Sequence, residues 1–367
     1  MLREIYVRPL GLYASRHGDA AEEVWGGFRL AEGWLDFSAV EVIERNGSEV
    51  ERRIAGIGEF LERDWGRRAL NAADMFEYIR QPRPRVSGLA LDGPKIMGIV
   101  NVTPDSFFDG DQFDDSRMAI DHAKRLVDEG ADILDIGGES TRPGSEAVPL
   151  DEELARVLPV IEGLAGKVDA RLSIDSRKSE VMRRALQAGV DIVNDVSALT
   201  YDPKSMEIVA DAGVPVVLMH AQGDPKTMQD DPFYDDVTLD VFDYLEARVE
   251  ACLRAGIPRH RLIVDPGIGF GKTLEHNLQL LSELSLLHGL GLPILVGASR
   301  KSFIGKLTAA KSADERLPGS LAAAVHAVGQ GAQIIRVHDA AETRQAIQLW
   351  QGVSAGIPDD ILSRAQS

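Results

Sequence analysis

The chain of 367 residues contains a single cysteine, Cys252, so it cannot form an intrachain disulfide. It has no apolar run of about 18 residues, and its start, Met1 to Ile5, lacks the apolar core of a secretory signal. Positive charge is also scarce, because 40 lysines and arginines against 58 aspartates and glutamates leave a net charge of −18. We therefore expect a cytoplasmic protein that binds neither membranes nor nucleic acid. An anionic ligand would need a local cluster of cations.

Residues 1–94 contain no lysine, and their 13 arginines against 16 acidic residues leave a net charge of −3, which excludes a basic nucleic-acid arm. We expect a small α+β extension of open role. Its predicted elements are a strand over Trp34 to Val42, a hairpin turn at Asn46-Gly47 and a helix over Ala69 to Ile79. After it, Ser87 to Asp92 is typical of a short hairpin.

From Ile96 onward one unit recurs eight times: a short apolar run, a polar cluster, an amphipathic stretch and a glycine. Such runs are typical of parallel strands covered by helices. Eight units in about 256 residues favour a (β/α)₈ TIM barrel over residues 95–352, with a tail at 353–367 and the Ser87 hairpin closing the bottom. A doubly wound open sheet stays open as an alternative. The runs are Ile96 to Val100, Ile133 to Ile136, Leu172 to Ile174, Ile192 to Val193, Pro215 to Met219, Leu262 to Val264, Pro293 to Val296 and Ile334 to Val337.

Polar residues follow every one of these runs. Because the carboxyl ends of barrel strands converge on one face, these side chains are predicted to line a ligand site. One carboxylate after a strand could equally cap a helix, so Asp135, Asp195 and His220 are each open to either interpretation. The set comprises Asn101, Asp135, Glu139 to Arg142, Asp175, Asn194, Asp195, Met219, His220, Asp265, Ser299 to Lys301, Arg336 and His338.

The charges in this set indicate what the ligand is. Four cations or potential cations, Arg142, Lys301, Arg336 and His338, come together in an acidic protein, which predicts an anionic phosphate or carboxylate group. Acceptors at Asp175, Asn194 and Asp265 could bind the N–H edge of a flat heterocycle.

Several familiar motifs are absent. The run Gly267 to Thr273 lacks the first glycine of a phosphate loop, because position 266 is proline, and its glycines alternate as GxGxG rather than GxGxxG. The eight histidines show no HExxH spacing or paired Cys and His ligands, so a protein-caged zinc is not expected. Hard oxygen ligands would favour Mg²⁺ shared with substrate phosphates.

Several long segments resemble bacterial dihydropteroate synthase, a pterin-binding TIM-barrel family. The resemblance covers about residues 86–351 in the right order. It is carried by Ile99 to Phe107, Gly137 to Gly144, Gly223 to Gln229, Asp265 to Lys272, Ser299 to Ser302 and Ile335 to Asp339.

This resemblance implies a (β/α)₈ transferase of folate synthesis that condenses 4-aminobenzoate with 6-hydroxymethyl-7,8-dihydropterin diphosphate, and a homodimer. It implies Mg²⁺ at Asn101 and Asp109, and catalytic roles for Lys301, Arg336, Asp175 and Arg142. The implied substrate sites are Asp175, Asn194, Met219, Asp265, Lys301 and Arg336 for the pterin, with Arg336 covering its ring face; Thr141, Arg142, Pro143, Phe270, Lys301 and Ser302 for 4-aminobenzoate; and Asn101, Arg142, Arg336 and His338 for diphosphate.

The first loop departs from the family pattern, in which Ser-Phe-Ser-Asp-Gly-Gly is usual. Phe108 and Asp111 stand in place of the second serine and the second glycine, which could change loop closure and the aminobenzoate analogues that fit.

Three other functions remain open from the residues. The first is methyl transfer from a folate to a corrinoid, which expels no diphosphate and leaves the cation set unexplained. The second is a non-catalytic pterin-binding protein whose extension recruits a partner. The third is Schiff-base chemistry at Lys301, a general possibility for a barrel lysine.

Overall fold

The computed structural model describes residues 4–15, 27–66, 69–102, 112–140, 145–223 and 227–356. Within helices, the side chains of residues 69–70 and 112–114 lie outside this description. The predicted roles of Asp109, Thr141, Arg142 and Pro143 fall on positions outside the described residues, as do the substitutions at Phe108 and Asp111.

Eight parallel strands form one sheet, and each coincides with one of the eight apolar runs, although the strands at Val216–Met219 and Leu295–Val296 begin one and two residues after the start of their runs. The sheet order is β12-β11-β10-β9-β8-β7-β14-β13, and a parallel bridge from Val264 to Ile294 joins its two ends. The predicted barrel is therefore confirmed over the open sheet. The strands are β7 (Lys95–Asn101), β8 (Ile133–Gly137), β9 (Arg171–Asp175), β10 (Ile192–Asp195), β11 (Val216–Met219), β12 (Leu262–Asp265), β13 (Leu295–Val296) and β14 (Ile334–Val337).

Helices alternate with the strands and cover the outside of the barrel. Glycines end several of them as predicted; Gly213 and Gly291, with φ of 68° and 69°, adopt the left-handed conformation that favours glycine. The helices are α3 (Gln112–Asp128), α4 (Leu150–Leu164), α5 (Ser179–Gln187), α6 (Ser205–Ala212), α7 (Val237–Arg254), α8 (Leu274–Ser282), a 3₁₀ helix (Leu284–Leu290), α9 (Ser302–Thr308), α10 (Leu317–Gly329) and α11 (Ala340–Ala355).

The amino-terminal end of the barrel is filled by apolar side chains. Val86 and Leu89 pair through two backbone hydrogen bonds of 3.0 and 2.8 Å, so the predicted hairpin is present. Val86 and Leu91 are buried in the same cluster as the inward side chains of seven strands. The hairpin therefore closes the bottom of the barrel, as predicted. The strand members are Met97, Ile133, Ile192, Val217, Ile263, Leu295 and Ile334.

Among its described residues, the N-terminal extension contains two small antiparallel sheets, of order β1-β5-β6 and β2-β4-β3, and two helices. Its predicted helix is present, but the predicted single strand over residues 34–42 is wrong, because it is interrupted at Ser38 between two sheets. The hairpin is present with a loop one residue later than predicted, since Asn46 still pairs with Glu49. The elements are β1 (Ile5–Leu10), β2 (Tyr13–Ala14), β3 (Phe28–Leu30), β4 (Leu35–Phe37), β5 (Ala39–Asn46), β6 (Glu49–Gly56), α1 (Ile57–Glu62) and α2 (Ala69–Arg80).

The extension docks on helices that cover the outer surface of the barrel. The Tyr6 hydroxyl donates to Asp243 on α7 at 2.9 Å, and Arg45 donates to the same carboxylate at 3.1 Å. The Trp34 indole donates to the carbonyl of Val328 on α10 at 3.2 Å. Buried, partnered polar groups therefore join the extension to the barrel. The division at residue 94 and the tail from residue 353 remain predictions, and α11 continues through Ala355.

Candidate active site

The strand period explains how polar residues reach the barrel mouth, which is the end of the barrel where the carboxyl ends of its strands meet. Successive side chains of a strand alternate between its two faces, so a residue two positions after an inward one also points inward. Ile133, Ile192, Ile263 and Ile334 belong to the apolar cluster at the bottom. The residues two positions further on are Asp135, Asn194, Asp265 and Arg336, which are predicted by this period to form an upper polar layer.

Arg336 connects this polar layer. Its Nε donates to Asp135 Oδ2 at 2.6 Å, and its Nη2 donates to Asp175 Oδ2 at 2.7 Å. Asn194 Nδ2 donates to the same Asp135 oxygen at 2.9 Å. The structure thus brings Asp175, Asn194 and Arg336 together with Asp135, the residue that sequence reasoning left undecided.

Two carboxylate oxygens in this network are buried without a hydrogen-bond partner among the described residues. They are Oδ1 of Asp135 and Oδ1 of Asp175. A buried acceptor that lacks a partner costs free energy, so a ligand that donates to these oxygens would gain binding energy. Burial raises the pKa of Asp175 to about 7, against the lowering effect of Arg336 and with a further rise from the Asp135 charge. The mouth therefore keeps acceptors available for donors from a ligand.

Asp265 and Met219 end adjacent strands and pair in register. Asp265 is buried, and burial raises the pKa of its carboxyl although Lys301 and the Gly267 amide oppose that rise. Its Oδ1 accepts from Gly267 N at 2.7 Å. Met219 is also buried, so these two residues form one wall of the mouth.

The glycine-rich loop after β12 is folded against the neighbouring loop. Gly267 has φ +67°, and a Cβ there would lie 1.9 Å from the carbonyl oxygen of His220. Backbone groups of this loop also form hydrogen bonds with side chains of the protein. Gly269 N donates to Asn277 Oδ1 at 2.6 Å, and Gln229 donates to the carbonyl of Gly269 at 2.7 Å. The alternating glycines allow close backbone contact rather than forming a phosphate cradle.

Lys301 lies across this loop. Its ammonium donates to the carbonyl of Ile268 and lies 4.6 Å from the centre of the Phe270 ring, within cation–π range. Burial lowers the pKa of Lys301 to about 8, and the Asp265 carboxylate opposes that shift. Ser302, the first residue of α9, is exposed. Lys301 therefore lies between Asp265, a residue predicted to bind the pterin, and Phe270, a residue predicted to contact 4-aminobenzoate.

The remaining predicted anion-binding residues lie on neighbouring strand ends. His338 follows β14, and its Nδ1 lies 3.0 Å from Ser299 Oγ. Asn101 ends β7 and is half-buried. Its amide oxygen is a hard donor suited to Mg²⁺, whereas the described residues include no group of three or more His, Cys, Asp or Glu side chains that could hold a metal. Asn101 therefore offers one oxygen of the kind that Mg²⁺ prefers.

Asp195 and His220 have structural partners. Asp195 accepts from the backbone amides of Ser197 and Leu199 at 2.7 and 2.9 Å, so it caps a turn. The His220 ring is buried, with its Nδ1 2.9 Å from Lys272 Nζ. For Asp195 and His220, a structural role rather than contact with a ligand accounts for the observed hydrogen bonds.

Sequence reasoning gave no specific role to Lys272 or Arg300, although Arg300 belongs to the predicted polar set and Lys272 to a segment that carries the family resemblance. Lys272 is buried and also donates to the carbonyl of Phe270 at 2.9 Å, which supports the loop beneath Lys301. Arg300 has φ +56°, uncommon for a residue with a side chain, and its Nε donates to Asp339 at 2.9 Å. A lysine directly after a glycine-rich loop was the available signal for the first. Nothing local in the sequence signals the backbone conformation of the second.

Comparisons with known proteins identify the family of this chain. The family model described as "Pterin binding enzyme" matches residues 97–338. Dihydropteroate synthase of Escherichia coli K12 is 48% identical over 263 residues, which cover 72% of this chain and 93% of that protein. The enzyme of the same name from Neisseria meningitidis serogroup B is 49% identical over 275 residues, covering 73% and 96%.

Solved structures give the same result. Xanthomonas albilineans dihydropteroate synthase with 4-aminobenzoic acid matches with a TM-score of 0.71 and 50% identity, covering 76% of this chain and 99% of that one. The same enzyme in complex with 7,8-dihydropteroate matches with a TM-score of 0.68 and 48% identity, covering 76% and 100%. A Yersinia pestis dihydropteroate synthase with a sulfonamide drug matches with a TM-score of 0.69 and 48% identity, covering 72% and 96%.

The fold and the acceptor-lined mouth define a barrel enzyme that binds a nitrogen heterocycle. The chain belongs to the pterin-binding enzyme family and, within that family, to the dihydropteroate synthases. The shares covered place the similarity in the barrel and leave most of the extension outside it.

Proposed function

We propose that this chain is a transferase that condenses 4-aminobenzoate with 6-hydroxymethyl-7,8-dihydropterin diphosphate to give 7,8-dihydropteroate and diphosphate. The observation that carries the proposal is the acceptor-rich mouth, in which Asp175 keeps a buried oxygen without a partner among the described residues. A pterin presents N–H groups along one edge, and buried carboxylates bind such groups strongly. The similarity to synthases solved with 4-aminobenzoic acid and with 7,8-dihydropteroate supports the same substrates here.

The pterin would bind among six residues. Asp175, Asp265 and Asn194 would accept from its N–H groups, and Lys301 would donate to its carbonyl oxygen. Met219 would contact the ring, and Arg336 would cover the ring face while it stays bound to Asp135 and Asp175. The structure supports this assignment through the short contacts of Arg336 with both carboxylates.

In the reaction, the amine nitrogen of 4-aminobenzoate forms a bond to the exocyclic methylene carbon of the pterin. The bond from that carbon to diphosphate breaks, its electron pair leaves with diphosphate, and the amine nitrogen loses a proton. Positive charge that develops on the pterin would be stabilised by Asp175 and Asp265 in a largely buried mouth. An aromatic amine is mostly unprotonated at neutral pH, so we assign no general base.

The two anionic groups would bind at neighbouring sites that share Arg142. Diphosphate would bind at Asn101, Arg142, Arg336 and His338, and 4-aminobenzoate would contact Phe270, Lys301 and Ser302 with Thr141, Arg142 and Pro143. Mg²⁺ held by Asn101 and Asp109 would neutralise charge on the leaving diphosphate. Lys301 Nζ near the Phe270 ring supports the aminobenzoate assignment, because that face combines an aromatic surface with a cation.

We further propose a homodimer in the cytoplasm. The homodimer rests on the family resemblance, and the cytoplasm is favoured by the scarcity of cysteine. Within the described ranges, no helix is long and apolar enough to cross a membrane.

A mass-resolved assay tests the proposed reaction. Purified full-length protein is incubated with 4-aminobenzoate, the pterin diphosphate and Mg²⁺, and each component is omitted in turn. We expect a product with the mass of 7,8-dihydropteroate and an equal amount of diphosphate only when all three are present. Product that forms without 4-aminobenzoate, or binding of methyltetrahydrofolate in preference to the pterin diphosphate, would argue against the proposal.

Asp175→Asn provides the matching variant, with Asp191→Asn as its control. Asp191 lies at the opposite end of the barrel, where its Oδ2 accepts from Leu172 N at 2.9 Å, a bond that an asparagine oxygen can still accept. We expect Asp175→Asn to lose most turnover and Asp191→Asn to keep it. Equal activity in the two variants would refute the assigned site.

A further inference from the structure

Asp135 has no assigned contact with substrate, yet it is the acceptor at the centre of the mouth. Its side chain is fully buried on β8. One oxygen, Oδ2, accepts from both Arg336 Nε at 2.6 Å and Asn194 Nδ2 at 2.9 Å. Both donors belong to residues proposed to bind the pterin. Asp135 therefore forms hydrogen bonds with two residues that are proposed to bind the pterin.

The hydrogen bond to Asn194 fixes which end of that amide faces the ligand. An asparagine amide carries a donor group and an acceptor oxygen of similar size, so it can present either one after a half turn. An ionised carboxylate accepts only, and Arg336 donates to the same oxygen, which favours an acceptor at that point. The amide nitrogen of Asn194 must then face Asp135, and its carbonyl oxygen must point away from Asp135.

We propose that Asp135 is a positioning residue that sets ligand specificity by holding Asn194 with its carbonyl oxygen toward the N–H edge of the heterocycle. This inference rests on the proposed function for the identity of the heterocycle. The orientation matters because a reversed Asn194 amide would place its N–H groups against the N–H groups of the ligand. The donors would then be buried without an acceptor, which weakens binding strongly. Asp175 also binds Arg336, so the guanidinium keeps one carboxylate partner when Asp135 is removed.

Direct binding measurements test the proposal. Dissociation constants for the pterin diphosphate are measured by titration calorimetry on Asp135→Ala, Asp135→Asn, Asn194→Ala and the double alanine variant. We expect Asp135→Ala to weaken pterin binding by at least about tenfold, the loss of roughly one well-placed hydrogen bond in a buried site. Asp135→Asn should stay within about threefold of the original protein, because its amide oxygen can still accept from both donors.

The double variant separates action through Asn194 from an independent effect. If Asp135 acts by orienting Asn194, the two losses are not additive, and the double variant binds about as weakly as Asn194→Ala. Additive losses would overturn the proposal, as would pterin binding by Asp135→Ala at the original strength. Equal weakening in Asp135→Asn and Asp135→Ala would also overturn it, because an acceptor alone would then not restore orientation.

A specificity readout and a control exclude a general effect on folding. A pterin analogue without the exocyclic amino group should bind weakly to the original protein, and its disadvantage should shrink in Asp135→Ala. The KM for 4-aminobenzoate should change by less than about twofold. Asp132→Asn and Asp132→Ala serve as controls, because Asp132 accepts from Ile96 N and Arg344 at the barrel bottom, both at 2.8 Å. They should leave pterin binding unchanged, and an equal loss there would contradict a specific role for Asp135.

These measurements distinguish an error in the proposed function from an error in the role inferred for Asp135. If the original protein binds the pterin diphosphate but forms no dihydropteroate, the proposed function is wrong while the variant pattern still tests the role of Asp135. If it forms dihydropteroate and the variants do not follow the pattern, only the inference about Asp135 is wrong.

Discussion

The two ends of the barrel differ sharply although the same strands build both. At the bottom, inward residues such as Ile133, Ile192 and Ile334 are almost fully buried against the Val86 hairpin. Two positions further along, the inward residues are Asp135, Asn194 and Arg336. The bottom lowers the free energy of the fold through apolar burial, while the mouth buries charge at a cost in stability. The comparison therefore predicts that variants at the mouth change activity and variants at the bottom change stability.

The largest effect is expected at Lys301. Lys301→Ala should reduce kcat/KM for the pterin diphosphate by about 10²- to 10³-fold, as expected when one well-placed donor is removed from a buried site. The melting temperature should stay within about 3 °C, because a buried ammonium whose pKa is lowered to about 8 adds little stability. Steady-state kinetics with thermal denaturation would check both. Full activity in this variant would contradict the mouth as the active site.

Gly267→Ala should damage both stability and activity. A Cβ at this position would lie 1.9 Å from the His220 carbonyl oxygen, so the loop beneath Lys301 must move. Gly256→Ala is the matched control, since Gly256 also has positive φ, of 88°, but has no atom within 4 Å of the added Cβ. We expect about 1 kcal/mol from backbone strain in the control and clearly more in Gly267→Ala. Similar losses in denaturant unfolding would show that the close contact does not matter.

At the barrel bottom, Ile192→Ala should act on stability alone. Deleting a fully buried isoleucine side chain removes apolar contacts and leaves a cavity, so the free energy of unfolding should fall by about 2–5 kcal/mol. The kcat should remain near its original value below the unfolding temperature. A large fall in kcat without a change in the free energy of unfolding would contradict the prediction that the bottom of the barrel serves stability and the mouth serves activity.

The smallest effect concerns pH. The mouth requires ionised Asp175, whose pKa burial raises to about 7, and protonated Lys301, whose pKa burial lowers to about 8. We therefore expect kcat/KM for the pterin diphosphate to rise as pH passes the first value and to fall above the second. In Lys301→Arg the alkaline fall should move to higher pH, because a guanidinium keeps its charge. An unchanged alkaline limb in that variant would assign the fall to another group.

The sequence predicts the barrel and its polar strand ends because both follow from local patterns. Each apolar run from Ile96 to Val337 became a strand, and the period of two carries Asp135, Asn194, Asp265 and Arg336 inward. The pairing among these four residues is not local, since Arg336 lies 201 positions from Asp135. Which carboxylate binds Arg336 was therefore beyond sequence reasoning.

The extension shows the same limit. The helix predicted over residues 69–79 from its period is present as Ala69–Arg80, whereas the break at Ser38 depends on two sheets that pair distant segments. β1 pairs with β5 over residues more than 28 positions apart, as Leu10 and Ala39 show. Turn residues indicated the β5–β6 hairpin but placed its loop one residue early. Tertiary pairing, rather than local propensity, decided these points.

A crystal structure with the pterin diphosphate bound tests the central claim most directly. We expect the heterocycle inside the barrel mouth, with its N–H groups within about 3 Å of carboxylate oxygens of Asp175 and Asp265 and its face near Arg336. A pterin bound elsewhere, with the oxygens of Asp175 still lacking a donor from it, would contradict the account.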